Sequence, residues 1–157
     1  MAEGSWVNEG ETASQIREAF SVMRKVIQSE AVPRPATAYS QAIMADGKRT
    51  LFISGQVPVG TDGKVVGEGD FRAQVHQVFR NIGAVLEAGG AEWSDVVKLG
   101  VYLTDMGNFP IFNEVRQEYL RPDFPAATTI GNVALVRPEW LVEIEAVAVL
   151  GEDGVDR

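Results

Sequence analysis

Residues 70–104, DFRAQVHQVFRNIGAVLEAGGAEWSDVVKLGVYLT, run from a long helix into a strand, and that succession sets the fold class. Phe71, Val75, Val78, Ile82, Val85 and Leu86 recur at helical spacing, so a helix from Asp70 to Ala88 has one apolar stripe. Asp70 stands where its carboxylate can accept from the unpaired N–H groups of the first turn. Gly89-Gly90 ends the helix, because glycine closes the last turn without steric cost. From Asp95 to Thr104 the apolar period changes to two, as in a strand with one buried face.

Downstream, a second helix spans Phe109 to Leu120, with Asn108 as its cap and Pro110 in the first turn, where a missing N–H costs little. Strands from Ala127 to Leu135 and from Leu141 to Leu150 close the chain. Upstream, a strand over Ala38–Met44 reaches Asp46-Gly47, a hairpin signal, and a strand over Thr50–Ser54 follows. Before these, Ile16, Ala19, Phe20, Met23 and Ile27 are spaced as one side of a helix from Glu11 to Ile27. That helix alternatively stops early, leaving Lys25–Ser29 as a short strand. The order is then βββαβαββ after the extra helix, an α+β fold with a mixed sheet and two helices on one face. Residues 1–24 form an N-terminal helical extension, 25–150 the domain, and 151–157 a C-terminal tail. The apolar stripe of the extension requires a cover, either on its own domain or across a subunit boundary, where it would lid a pocket or reinforce an oligomer.

Charge and composition narrow the chemistry. A chain of 157 residues fits one domain. Acids outnumber bases by 22 to 14, a net charge of −8, and no basic run exceeds two residues. Binding to nucleic acid is driven by clustered cations that displace counterions, so nucleic acid and anionic membranes are poor partners. There is no cysteine, which removes thiolate nucleophiles and thiolate metal sites. The opening residues lack the basic start and apolar core of a secretory signal, and no apolar run approaches a bilayer span. These features fit a cytoplasmic protein. Gly67-x-Gly69 lacks the third glycine and the strand–helix context of a dinucleotide fingerprint, and no phosphate-cradling Gly-x-x-x-x-Gly-Lys occurs. His76 is the one histidine, placed between Arg72 and Arg80 on what should be a solvated helix face. No two-histidine metal spacing and no Gly-x-Ser-x-Gly elbow exist, so neither a metal site nor a serine triad is expected.

Carboxylates, hydroxyls and backbone groups remain. Glu143 and Glu145 stand two apart in the last strand and share a face, with Val142, Ile144, Ala146 and Ala148 on the other. In an isolated monomer both glutamates meet solvent. If a neighbouring subunit covers them, each must be paired or must hold a ligand or water, since covering a carboxylate disfavours its charged form. Asn113 lies one position off the stripe Phe112, Val115, Tyr119 and can hydrogen-bond at a surface or an interface.

Several segments together resemble one family. Tyr39-Ser40-Gln41-Ala42, Phe52-Ile53-Ser54-Gly55-Gln56-Val57-Pro58, Gln74 and Asn81, and Val101-Tyr102-Leu103-Thr104-Asp105-Met106 are similar to the Rid family, also called YjgF. Phe112-Asn113-Glu114-Val115, Phe124-Pro125-Ala126 and Val142-Glu143-Ile144-Glu145-Ala146-Val147-Ala148-Val149 extend the match from Lys25 to Leu150 in the family's order. The resemblance implies a chorismate-mutase-like fold and a homotrimer with a small-molecule pocket at each subunit interface. It implies that Tyr39, Ser54, Gly55, Asn113 and Glu143 line that pocket. The family's archetype, the reactive intermediate deaminase, hydrolyses enamines and imines and releases ammonia without metal or organic cofactor.

One position departs from the archetype. Its Pro-Ala-Arg-Ser reads Pro125-Ala126-Ala127-Thr128 here, so the guanidinium that grips a substrate carboxylate is missing. Hydrogen bonds to a charged group contribute about 1.5–3 kcal/mol each, and losing the pair costs roughly two to four decades of affinity. Ala127, Thr128 and Thr129 then suit a neutral or differently shaped ligand, unless Arg121 or Arg137 reaches in. Two functions stay open: a cofactor-independent hydrolase with Glu143 as proton acceptor, acting on an imine, enamine or related intermediate, and a non-catalytic binding or regulatory trimer. A ribonuclease is disfavoured by the acidic charge.

Overall fold

The computed structural model describes residues 23–27, 40, 42–46 and 49–151. Among these residues six strands and two helices follow in chain order: β1 Met23–Ile27, β2 Ala42–Asp46, β3 Arg49–Gln56, α1 Phe71–Ala88, β4 Val96–Leu103, α2 Phe109–Tyr119, β5 Ala126–Gly131 and β6 Val142–Leu150. Single 3₁₀ turns at Trp93–Asp95 and Met106–Asn108 lead into β4 and α2. The βββαβαββ order is the one the sequence suggests.

Four strands form one sheet in the order β3–β6–β4–β5. β6, last in the chain, is antiparallel to both β3 and β4, while β4 and β5 run parallel with α2 as their crossover. Both helices contribute to the same core. Val75, Val78, Ile82 and Leu86 of α1, with Phe112 and Val115 of α2, are buried with Val96, Leu99, Val101 and Leu103 of β4 and Val142, Ile144, Ala146 and Ala148 of β6. Val85 is only half-buried, and Phe79, outside the expected stripe, is fully buried. The reason is that α1 packs against α2 as well as the sheet, so its buried arc is wider than one stripe. Phe79 stacks on Tyr119 at 4.7 Å between ring centroids, with Phe112 and Trp93 beside it.

The caps are mostly as expected. Asp70 accepts from the Ala73 amide at 3.1 Å, and Gly90 takes φ +70° after the last turn of α1. Asn108 precedes α2 but makes no capping bond through its side chain; Asp105 instead accepts from Gly107 at 2.8 Å and caps the 3₁₀ turn.

Three boundaries differ from expectation. Met23–Ile27 is not the end of a helix but strand β1, paired antiparallel with β2; the rest of the expected N-terminal helix lies outside the described residues. The expected turn at Asp46-Gly47 falls partly outside the described residues; among those described, β2 pairs with β1 and β3 with β6, not with each other. β5 stops at Gly131 rather than Leu135, because Asn132 turns the chain with φ +59°. Among the described residues no helix is long and apolar enough to cross a membrane.

Candidate functional site

The helices cover one face of the sheet, and the side chains alternating away from them form the other. Glu143 and Glu145 of β6 project there together, as their spacing requires. Both lie low across the sheet because glycines sit beneath them. A Cβ added to Gly55 would stand 2.0 Å from Oε1 of Glu143, and one added to Gly100 would stand 2.5 Å from Oε1 of Glu145. Each carboxylate therefore fills the volume a neighbouring side chain would otherwise take. The β3–β6 register slips between Ile53 and Gln56, a bulge at Ser54–Gly55 alongside these glutamates. A bulge leaves its extra residue outside the ladder, and here it leaves Ser54 exposed and Gly55 against the Glu143 carboxylate.

Next to this corner the same face carries further polar groups. The Tyr102 hydroxyl donates to Oε1 of Glu145 at 3.2 Å, and Nζ of Lys98 donates to Oγ1 of Thr128 at 2.8 Å. The Glu145 charge, followed by the hydrogen bond to it, holds the Tyr102 phenol above its ordinary value; slight desolvation and Glu143 add to the shift. Phe52, Ser54, Lys98, Gly100, Glu145 and Val147 line an open depression of about 350 Å³. Glu143 stands outside that lining. Phe52 is 77% exposed, an unusual state for a phenylalanine in the middle of a strand.

The expected site residues divide between two sides of the sheet. Ser54, Gly55, Thr128 and Glu143 belong to the open face. Ala127 and Thr129 pair with Leu99 and Val101 and alternate toward the helices, where Ala127 packs against the core. Asn113 is on α2, half-buried, and its carbonyl oxygen accepts from Nη2 of Arg116 at 2.6 Å. Tyr39 lies outside the described residues. Its chain neighbour Ser40 is fixed at the start of β5, bridging Ala126 and donating its hydroxyl to the Phe124 carbonyl at 2.5 Å. Arg121 is exposed, and exposed Arg137 lies over Trp140 at 5.4 Å, so each has a surface setting.

His76 is not on a solvated face. It is half-buried, and its Nδ1 lies 2.9 Å from the Tyr119 hydroxyl, because α2 covers that side of α1. Among the described residues no cluster of three or more His, Asp or Glu side chains is placed to hold a metal ion.

Two polar residues of α1 secure the loops that lead to the site. Gln74 is fully buried, donates to the Glu139 carbonyl at 2.9 Å and accepts from the Leu141 amide at 2.8 Å, which fixes the approach to β6. Asn81 donates to the carbonyls of Val57 and Val59, both at 3.0 Å, and fixes the chain leaving β3. The strands bearing Glu143 and Gly55 are thus tied to one helix.

Sequence reasoning overlooked Arg116. It is 2% exposed and falls four residues after Phe112 on the sheet-facing side of α2, so an arginine within an apolar stripe was the available signal. Desolvation lowers the pKa of its guanidinium.

The chain's similarity to known proteins is broad. Residues 29–150 match the family model described as Endoribonuclease L-PSP. A RutC family protein of Pyrococcus horikoshii is 42% identical over 126 residues, covering 80% of this chain and 98% of that protein. The human 2-iminobutanoate/2-iminopropanoate deaminase is 34% identical over 131 residues, covering 83% of this chain and 93% of that one. Among solved structures, the Rid family protein YyfB of Yersinia pestis superposes with a TM-score of 0.74 at 37% identity, over 81% of this chain and 98% of that one.

Proposed function

The chain belongs to the Endoribonuclease L-PSP family, the Rid or YjgF family, and on that premise we propose that it hydrolyses a small imine or enamine at Glu143. One observation carries the reading: the Glu143 carboxylate lies against the backbone of Gly55, beside a bulge, on a sheet face that neither described helix covers. Curated relatives named as 2-iminobutanoate/2-iminopropanoate deaminases support the reaction class.

The chemistry asks little of the protein. Water adds to the carbon of the protonated imine as Glu143 takes one of its protons, which leaves a neutral amine and a hydroxyl on a tetrahedral carbon. Glu143 then returns that proton to nitrogen, the carbon–nitrogen bond breaks, ammonia leaves, and the hydroxyl gives its proton to Glu143 or solvent as it becomes the carbonyl. An enamine enters the same path once its carbon is protonated to the imine. The Ser54 hydroxyl and the Gly55 backbone orient the ligand, with Thr128 at the site's border. Because the glutamate face is open in one chain, the site is completed by further copies in a homotrimer. No metal or organic cofactor takes part.

Ammonia release from 2-iminobutanoate and from a panel of other imines and enamines, each generated in place, tests the reading. Glu143→Gln should lower turnover by about 10²–10⁴-fold, the usual contribution of a positioned acid–base group, with the oligomer unchanged. Equal turnover in the variant would remove the glutamate from the mechanism. A second reading, a binding or regulatory trimer without turnover, is favoured by Ala127, which supplies no charge to grip a substrate acid. Binding across the panel with no ammonia from the wild-type chain would select it. The family description also names an endoribonuclease, but the net charge of −8 opposes a phosphate-tracking surface.

A further inference from the structure

One carboxylate of the open face is held in place rather than free to swing. Gly100 lies beneath Glu145, where an added Cβ would stand 2.5 Å from Oε1, and the Tyr102 hydroxyl donates to that same oxygen at 3.2 Å. Nearby on β4, Nζ of Lys98 donates to Oγ1 of Thr128 at 2.8 Å. Among the described residues these are the only hydrogen bonds of the two charged side chains, and no ion pair joins them. A carboxylate and an ammonium therefore share one face, each tied to a neutral hydroxyl and neither to the other.

Both charges line the same depression of about 350 Å³, which is open to solvent and of the size that small-molecule sites take, roughly 300–1,000 Å³. Register fixes its plan. Phe52 stands opposite Val147 and Val147 opposite Lys98, which makes a row across β3, β6 and β4 with an apolar end and a cationic end. In the next row Glu145 stands opposite Gly100, so Glu145 and Lys98 are diagonal neighbours with no side chain at Gly100 between them. Diagonal neighbours on one sheet face lie about 7–8 Å apart, a gap that the two charged groups of one small molecule can bridge. Beside that gap lies the 77% exposed ring of Phe52. Glu143 is one row further on and outside the lining.

We propose that this depression is a second ligand site, separate from Glu143, and that it takes a small zwitterion, an amino acid with a short apolar side chain. Glu145 receives the ammonium, Lys98 receives the carboxylate, and Val147 and Phe52 cover the alkyl group. Tyr102 is a positioning residue: it commits one oxygen of Glu145 and leaves the other for the ligand. A molecule with only one of the two charges leaves the opposite protein charge facing it unpaired, so the site selects for both together. The site does not depend on the hydrolase reading. Copies that meet on this face, as that reading has it, roof the depression and limit its occupant to a small molecule.

The test compares three probes on the intact chain by titration calorimetry: 2-aminobutanoate, butanoate, which lacks the ammonium, and propylamine, which lacks the carboxylate. The wild-type should bind 2-aminobutanoate about 10- to 100-fold more tightly than either single-charge probe, the range expected for one charged hydrogen bond. Glu145→Gln should bring it down to the level of butanoate, and Lys98→Met to the level of propylamine. Tyr102→Phe should weaken it by a smaller factor, because Glu145 keeps its charge, and Glu143→Gln should leave it unchanged. In the wild-type, nuclear Overhauser contacts should run from the ligand methyl group to the Phe52 ring, a measurement that needs no variant. A wild-type without preference for the zwitterion, a ligand that makes no contact with Phe52, or binding lost in Glu143→Gln and kept in Glu145→Gln would each overturn the site. Ammonia release is scored separately. A chain that binds 2-aminobutanoate in this way but releases no ammonia keeps the second site and loses the hydrolase, and the reverse result keeps the hydrolase alone.

Discussion

Two glycines decide where the carboxylates of the open face lie. Gly55 and Gly100 sit under Glu143 and Glu145, and any larger residue at either place would lift the acid off the sheet. The same proximity couples Tyr102 to Glu145, since a phenol beside a carboxylate resists becoming a second anion. Glu145→Gln removes the main cause of the shift, so the Tyr102 phenol should titrate at lower pH in that variant. Ultraviolet difference titration of tyrosinate reads this directly, and an unmoved titration would show that Glu145 does not set the tyrosine. At this scale the sequence was legible where periodicity alone decides orientation: the shared face of Glu143 and Glu145 needed only the two-residue repeat of a strand. Arg116 was not, because its burial depends on α2 having β4 and β5 beneath it, which no local pattern states.

At the scale of elements, the two helices are locked by aromatic rings rather than by charge. Phe79 of α1 stacks on Tyr119 of α2 and touches the ring of Trp93, while the Arg72–Glu114 ion pair that also joins them is solvent-exposed. Exposed pairs contribute about 0–1 kcal/mol, whereas deleting a buried phenylalanine costs about 3–5 kcal/mol. Phe79→Ala should therefore lower the denaturant midpoint severely, and Glu114→Ala barely; urea unfolding of both variants checks the contrast. Helix α1 was readable nearly residue for residue, since Asp70, the apolar stripe and Gly89-Gly90 all act within the helix. β1 was harder. Met23 and Ile27 satisfy helical spacing, and only pairing with β2, some twenty residues away in sequence, makes them a strand. The hairpin signal at Asp46-Gly47 misled in the opposite sense: it is a local pattern, but β2 and β3 on either side take other partners, β1 and β6.

At the largest scale, the two described helices cover one sheet face and leave the other to residues beyond them or to partners. The open face combines Phe52 at 77% and Ile130 at 47% exposure, at its two edge strands, with the exposed polar groups around Glu145. Exposed apolar groups among polar ones on a sheet suit contact with further copies of the chain. Phe52→Glu should convert a species of about three times the 17.0 kDa chain mass into monomer, as measured by light scattering after size exclusion. A wild-type chain already at monomer mass would remove the shared pocket. The fold class was legible from element order, while strand order was not, because β6 enters between β3 and β4 through contacts distant in sequence.

That late insertion has a consequence for how the chain comes into being. While the ribosome still holds Val142–Leu150 in its exit tunnel, β3 and β4 have no strand between them, and early native contacts are those that do not need β6, such as the β1–β2 pair, the helices and the β4–β5 crossover. Residues up to about 140 must wait, with apolar strand edges open to chaperones or to one another, until the final segment emerges and threads the gap. Glu143 is delivered in that same stroke, so the chain gains its acid only when its sheet is complete.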